Sequence, residues 1–303
     1  ENQIVVEIKK GQTLSELAYS WQVQGWLPSA KVLLIHARVS GSAKNIKPGE
    51  FEIPENTRAY EVLTLLTQGS SKRYKVSFIE GTRLTDVLTR LQQAPKLIQD
   101  IQPLTTSNVQ AALGLSALAE GWVYPDTYVY HSGDTVSSII TQAHLRMQNI
   151  LNEEWQLYTE KLSKNEIKEL PYRSAYEALV MASIVEKETG QASERPEIAG
   201  VFIRRLQMNM RLETDPTVIY GLWGGRGKPK DRGGLRRSEL DKQTPYNTYQ
   251  INGLPPGPIA NPGLESLKAA ANPSVTEDLF FVADGTGGHA FAPTLKEHNA
   301  NVK

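Results

Sequence analysis

The sequence predicts an α+β fold in two parts, and three observations carry the prediction. A β-branched run followed by a capped helix recurs between Ile4 and Leu91, long helical periodicities take over after Thr105, and a short strand pair flanks Asp284-Gly285 near the end. A length of 303 residues suits two domains. The change of texture divides them into residues 1–104, built from small βα units, and 105–303, a mixed α+β domain.

The elements follow in order. Ile4 to Ile8 is a β-branched run that ends in the turn Lys9-Lys10-Gly11. Thr13 with Glu16 three residues on is a capping box, and Leu14, Leu17, Ala18 and Trp21 form the inward stripe of the helix it starts. Ser29 to Val39 reads as a second helix. Gly49 to Ile53 reads as a strand, and 57–66 as a helix with Tyr60, Leu63 and Leu66 facing inward. The same grammar returns from Val76, where Gly81-Thr82-Arg83-Leu84-Thr85-Asp86-Val87 lies over Gly11-Gln12-Thr13-Leu14-Ser15-Glu16-Leu17. Helical periodicity then runs over 136–162, 175–188 and 196–208. The span from Thr214 to Pro262, rich in Gly, Pro, Asn and Tyr, is expected to be long functional loops. Strands at 279–283 and 289–292 form a hairpin, with a last helix from Thr294.

Composition narrows the function. Hydrophobic residues at 40% and charged residues at 22% are ordinary globular values, which excludes a disordered or fibrous chain. Thirty-three basic side chains balance thirty-three acidic ones, so no nucleic-acid partner is expected. The absence of Cys removes disulfides, thiolate nucleophiles and Cys-based zinc sites. His36, His131, His144, His289 and His298 show no metal spacing, so neither a metal nor another cofactor is expected. The longest uncharged stretch, Ile101 to Ala119, is broken by polar residues and cannot span a bilayer. The chain opens at Glu1 without Met or a basic-then-apolar leader, and the expectation is that a targeting or anchoring segment lies outside it.

Chemistry concentrates at the end of one helix. Leu179 to Val185 is apolar on every side, which marks a buried helix, and Glu186 follows directly. Burial and the negative end of the helix dipole, with Gly190 as the stop, are both expected to hold Glu186 protonated. A protonated carboxyl is what general-acid attack on a glycosidic oxygen requires. A solvated helix end is the plain alternative for Glu186-Lys187-Glu188, and Glu188 is expected nearer that solvated end. Glu120, set among Trp122, Tyr124 and Tyr128, is a second candidate acid, or else part of a packed aromatic turn. The basic run from Arg226 to Arg237 reads as a solvated loop, or as a contact for acidic peptides or anionic lipid.

Two resemblances add to this reading. Residues 4–70, with strand, Gly-Gln-Thr-Leu turn, paired helices and a second strand after Lys47-Pro48-Gly49, resemble a LysM-type module, which implies binding of N-acetylated glycan. From Glu120 onward the match is more specific. Ala182-Ser183-Ile184-Val185-Glu186-Lys187-Glu188-Thr189, the block from Met210 to Gly221, Pro245 to Tyr249, Gly253 to Gly263 and Phe281 to Gly285 with Gly288-His289 resemble the YceG-like family of endolytic murein transglycosylases. The stretch between Gly221 and Pro245 departs from that pattern.

The family resemblance implies lytic cleavage of the MurNAc-GlcNAc bond within peptidoglycan strands, with Glu186 as acid and base and a 1,6-anhydro end as product. A glycan groove needs aromatic platforms and neutral hydrogen-bonding side chains. Tyr220, Tyr246, Asn247, Thr248, Tyr249 and Asn261 are the candidates for it, with Trp122 and Tyr124 as second choices and Asp215 as an orienting residue. Each has core packing or a turn as its plain alternative. The resemblance also implies an inner-membrane protein, anchored by a single N-terminal helix, with its catalytic part in the periplasm beside peptidoglycan synthases such as the penicillin-binding proteins. Two rival functions stay open: a muramidase pairing Glu186 with Asp215, and a non-catalytic glycan-binding scaffold.

Overall fold

The computed structural model describes residues 3–69, 71–164, 170–224, 229 and 233–302. The fold is α+β: among the described residues the strands form three two-stranded pairs, and helices make up the rest of the regular structure. The chain divides into two compact units that are not continuous in sequence. The first holds 1–76, 93–100 and 127–139; the second holds 77–92, 101–126 and 140–303. The cut expected at residue 104 therefore falls within the second unit.

In the first unit, β1 (Gln3–Ile8) pairs antiparallel with β2 (Gly49–Pro54), Ile4 opposite Ile53 and Ile8 opposite Gly49. The period of two sends Val6 and Ile8 inward and leaves Val5 exposed. Between the strands run α1 (Leu14–Val23) and α2 (Ala30–Val39), and α3 (Ala59–Gln68) follows β2. Thr13 and Glu16 form the expected capping box, and Leu14, Leu17, Ala18 and Trp21 meet Leu33, Phe51, Leu63 and Leu66 in one core. Tyr60 does not join it. Val62 takes the inward slot, while Tyr60 stays about half exposed and donates its hydroxyl to Glu61. The unit also holds β3 (Arg73–Ser77) paired with β4 (Thr127–His131), where Tyr74 stacks on Tyr130 at 5.6 Å.

The repeated βα grammar has a common backbone cause. Gly11 and Gly81 both take positive φ, 84° and 71°, and Asn56 does the same at 61°. Each turn precedes a helix whose third residue, Glu16, Asp86 or Glu61, reaches back to the main chain at its start.

In the second unit α4 (Leu84–Gln93) and α5 (Thr106–Ala112) precede the long α6 (Val136–Ser163), which belongs to this unit from Ile140 onward. Its centre is α7 (Ala175–Glu188), buried from Ala178 through Val185 and packed against α8 (Arg195–Gln207). The span expected as loops contains α9 (Asp215–Trp223), started by Pro216 in its first turn, and the short α10 (Arg237–Leu240). Then come α11 (Leu264–Ala271), the hairpin β5 (Phe280–Ala283) with β6 (His289–Ala292), and α12 (Leu295–Asn301) capped by Thr294. Ala178, Ala182, Ala269 and Ala270 let α7 and α11 approach closely. On α8 a Cβ at Gly200 would come within 2.4 Å of the Ser274 carbonyl oxygen. Of the basic run, Arg226, Lys228, Lys230 and Arg232 lie outside the described residues.

Candidate active site

The apolar rod of α7 ends in Glu186-Lys187-Glu188, and its two carboxyls leave on different sides, because residues two apart on a helix are separated by roughly 200°. The helix stops at Glu188, where the periodicity over 175–188 ends, and Thr189 is already extended at φ −135° and ψ 140°.

On one side, Glu186 meets donors rather than apolar walls. Its Oε1 lies 3.1 Å from Nη2 of Arg195, and its Oε2 accepts from the Gly263 N–H at 3.0 Å and the Ser266 hydroxyl at 2.7 Å. Gly263 and Ser266 belong to the first turn of α11, where the helix dipole favours a negative group. The side chain is buried, as the sequence implied, and it is paired with the equally buried Arg195. Glu80 lies alongside, 3.9 Å from the same Arg195, and burial with the neighbouring Glu186 charge pushes its pKa up.

On the other side lies Glu188. Burial pushes its carboxyl up to about 7, against a hydrogen bond from the Thr214 hydroxyl that lowers it; the Asp215 charge raises it and His289 lowers it. The bend at 212–215 folds over this side of α7, and Glu188 is partly buried beneath it. That bend is held from below. Arg205 donates to the carbonyls of Leu279, Arg211 and Leu212 and pairs with Glu213 at 3.3 Å, while Glu213 takes a left-handed φ of 53°. Thr248 accepts from Thr214 N–H at 3.0 Å and shares a hydroxyl contact with Thr217 at 2.8 Å.

Glu188, Glu213, Thr214, Asp215 and Tyr249 line an open cavity of about 420 Å³, with Phe202, Phe280 and Phe281 as apolar wall. Tyr249 donates its hydroxyl to Asp215 at 2.8 Å. The hairpin is fastened beside it. Glu194 accepts from the main chain of His289 at 2.8 Å, meets its Nδ1 at 2.9 Å and accepts from the Thr189 hydroxyl at 3.0 Å, while Gln191 donates to Gly287 at 2.7 Å.

The remaining candidates sort by location. Tyr220 lines a second cavity of about 440 Å³ with Arg83, Lys187, Pro216 and Ile219. Tyr246 packs 4.8 Å from Tyr220, and its buried hydroxyl finds no partner among the described residues. Asn247 and Asn261 are interior fasteners. Asn247 donates to the carbonyls of Leu240 and Lys242, and Asn261 ties the Val123 N–H to the Thr82 carbonyl. Thr248 braces the bend behind the cavity. Trp122 stacks on Tyr176 at 6.1 Å and Tyr124 lies under the Arg146 guanidinium at 4.9 Å; neither lines these cavities. Glu120 is buried too, with a carboxyl pushed up to about 7 by burial, but it accepts from the Leu84 N–H at 2.7 Å and the Tyr220 hydroxyl at 3.3 Å and so starts α4.

Thr214 was not singled out in the sequence, although its place between Glu213 and Asp215-Pro216, at the start of a helix, was the available signal.

Comparison with known proteins agrees with this architecture. The chain is 30% identical to an endolytic murein transglycosylase of Bacillus subtilis, over 97% of this chain and 82% of that one. It is 32% identical to an endolytic murein transglycosylase of Streptococcus pneumoniae over 60% of this chain, a match spanning 31% of that longer protein. The crystal structure of a yceG-like protein from Listeria monocytogenes superposes with a TM-score of 0.58, at 27% identity and 99% coverage of both chains. The profile of the YceG-like family matches residues 6–303, and the chain belongs to that family.

Proposed function

We propose that this chain is a lytic transglycosylase that cuts peptidoglycan strands internally, and that Glu188 rather than Glu186 holds the reacting proton. The observation that carries this reading is the partly buried Glu188 carboxyl, pushed up to about 7 and facing an open cavity with Thr214, Asp215 and Tyr249. A carboxyl with that proton affinity donates and recovers a proton near neutral pH. Glu186, fixed by Arg195, Gly263 and Ser266, instead anchors the end of α7 to α11.

In the reaction, Glu188 protonates the oxygen that leaves as the C1–O4 bond between MurNAc and GlcNAc breaks. The resulting carboxylate then takes the proton from the MurNAc C6 hydroxyl as O6 closes on C1, which gives a 1,6-anhydro end and restores the acid. One carboxyl serves both steps, so the spacing demanded by a two-carboxylate hydrolase is not needed. Asp215 orients Tyr249, and Tyr220 extends the sugar-facing surface into the second cavity. The alternative of hydrolysis has its own support, since Asp215 lines the same cavity as Glu188 and supplies a second carboxyl.

Residues 4–70 fit the reading as a LysM-like part that contacts glycan. The protein would act outside the cytoplasmic membrane, held there by an anchor beyond this sequence and working beside peptidoglycan synthases. Among the described residues no helix is long and apolar enough to cross a membrane.

Mass spectrometry of digested peptidoglycan tests the reading. Anhydro ends, lighter by one water than reducing ends, are expected from the unaltered chain and from Glu186→Gln at reduced yield, and none from Glu188→Gln. Reducing ends would establish the hydrolase. Full activity in Glu188→Gln with loss in Glu186→Gln would return the proton to Glu186. No cleavage by the unaltered chain, with glycan still bound, would leave the scaffold.

A further inference from the structure

The first unit contains a groove of about 1160 Å³ whose charges do not balance. Its acidic side chains are already occupied. Glu7 accepts from the Ser132 hydroxyl at 2.8 Å and pairs with Lys96 at 3.5 Å, and Asp134 accepts from the His131 N–H at 2.7 Å and meets its ring at 3.7 Å. Lys96 is spent as well, because it also pairs with Glu50 at 2.8 Å. Four basic side chains on the same walls, Lys9, Lys10, Lys47 and Arg73, are exposed and have no ion-pair partner among the described residues. The chain as a whole is neutral, so this excess is local.

The same lining also carries apolar side chains, Pro48, Leu97 and the half-exposed Ile98. A concave surface with several unpaired cations and apolar side chains in its lining suits an extended ligand that carries both carboxylates and small methyl groups. A bilayer surface would need basic side chains on a protruding face, and a neutral sugar would leave the cations unused.

We infer that this groove binds the carboxylate-bearing stem peptides that hang from peptidoglycan strands. The inference rests on the murein reading above for the source of the peptide, but not on Glu188 or on turnover.

The test uses a probe that cannot be a glycosidase substrate: the alanyl-isoglutamyl-diaminopimelate tripeptide immobilised on resin, beside the same peptide with its carboxyls amidated. The full chain should be retained at low salt, and retention should weaken by roughly tenfold in the Lys9→Gln/Lys10→Gln/Lys47→Gln/Arg73→Gln variant, on the amidated resin and at high salt. The four residues are exposed, so an unchanged urea midpoint is expected to accompany the loss. Glu188→Gln should be retained on the resin as well as the unaltered chain is, which separates failure of the groove from failure of the transglycosylase reading. Absence of retention, equal retention of the variant, or loss confined to phosphatidylglycerol vesicles would each overturn the inference, the last in favour of a membrane contact.

Discussion

Glu186 and Glu188 differ by one intervening lysine and by the donors that reach them. If Glu188 is the acid, turnover should fall as pH rises through about 7, where the proton it must donate is lost. Glu188→Gln should lower turnover by roughly 10²–10⁴-fold with strand binding retained, read from single-turnover rates and co-sedimentation. The same shift has a stability consequence. The folded state holds this proton above the ordinary carboxyl value of 4.5, so stability is fully present below that value and is lost as pH rises towards about 7. Above it, the buried charge costs on the order of 2–3 kcal/mol. Thermal melts should therefore show Glu188→Gln more stable than the unaltered chain at pH 8 and no more stable at pH 4. Glu186→Gln should destabilise by about 3 kcal/mol at neutral pH, because it leaves the buried Arg195 with only the more distant Glu80 carboxylate, 3.9 Å away. A urea series at pH 7 checks it, and an unchanged midpoint would remove Glu186 from its anchoring role.

At the scale of elements, the β5–β6 hairpin is fastened to the end of α7 through Glu194, which holds both Thr189 and His289. His289 lowers the proton affinity of Glu188, so His289→Asn should let it rise and move the alkaline limb of the pH–rate profile to higher pH. A limb that stays in place would make the clasp structural only. The packing of α8 is equally specific. Gly200→Ala puts a methyl against the Ser274 carbonyl, and the resulting shift should cost about 1–3 kcal/mol in urea unfolding without altering the pH profile. Both effects come from close approach between segments distant in sequence, which neither periodicity nor capping patterns report.

Across the whole molecule, local patterns were good guides to elements and poor guides to site geometry, because the packing of segments distant in sequence decides the latter. The capping box at Thr13, the strands around Ile4 and Phe51, the limits of α7 and the final hairpin were all legible, because each follows from hydrogen bonding and apolar spacing within a few residues. Helix α9 was not, because the surrounding Gly and Pro residues masked a short helix started by Pro216. The candidate site was legible as a place, since Tyr249, Asp215 and the end of α7 do meet, but Asn247, Asn261 and Tyr124 fill interior roles that their composition shares with sugar ligands. The sequence by itself determined the α+β class, the buried helix and the presence of two carboxyls at its end. Only the tertiary structure decided which carboxyl meets donors and which meets a cavity, because an all-round apolar helix carries no stripe to say what packs on each side. That choice was made by Arg195 and the first turn of α11 on one flank and by the Thr214 bend on the other.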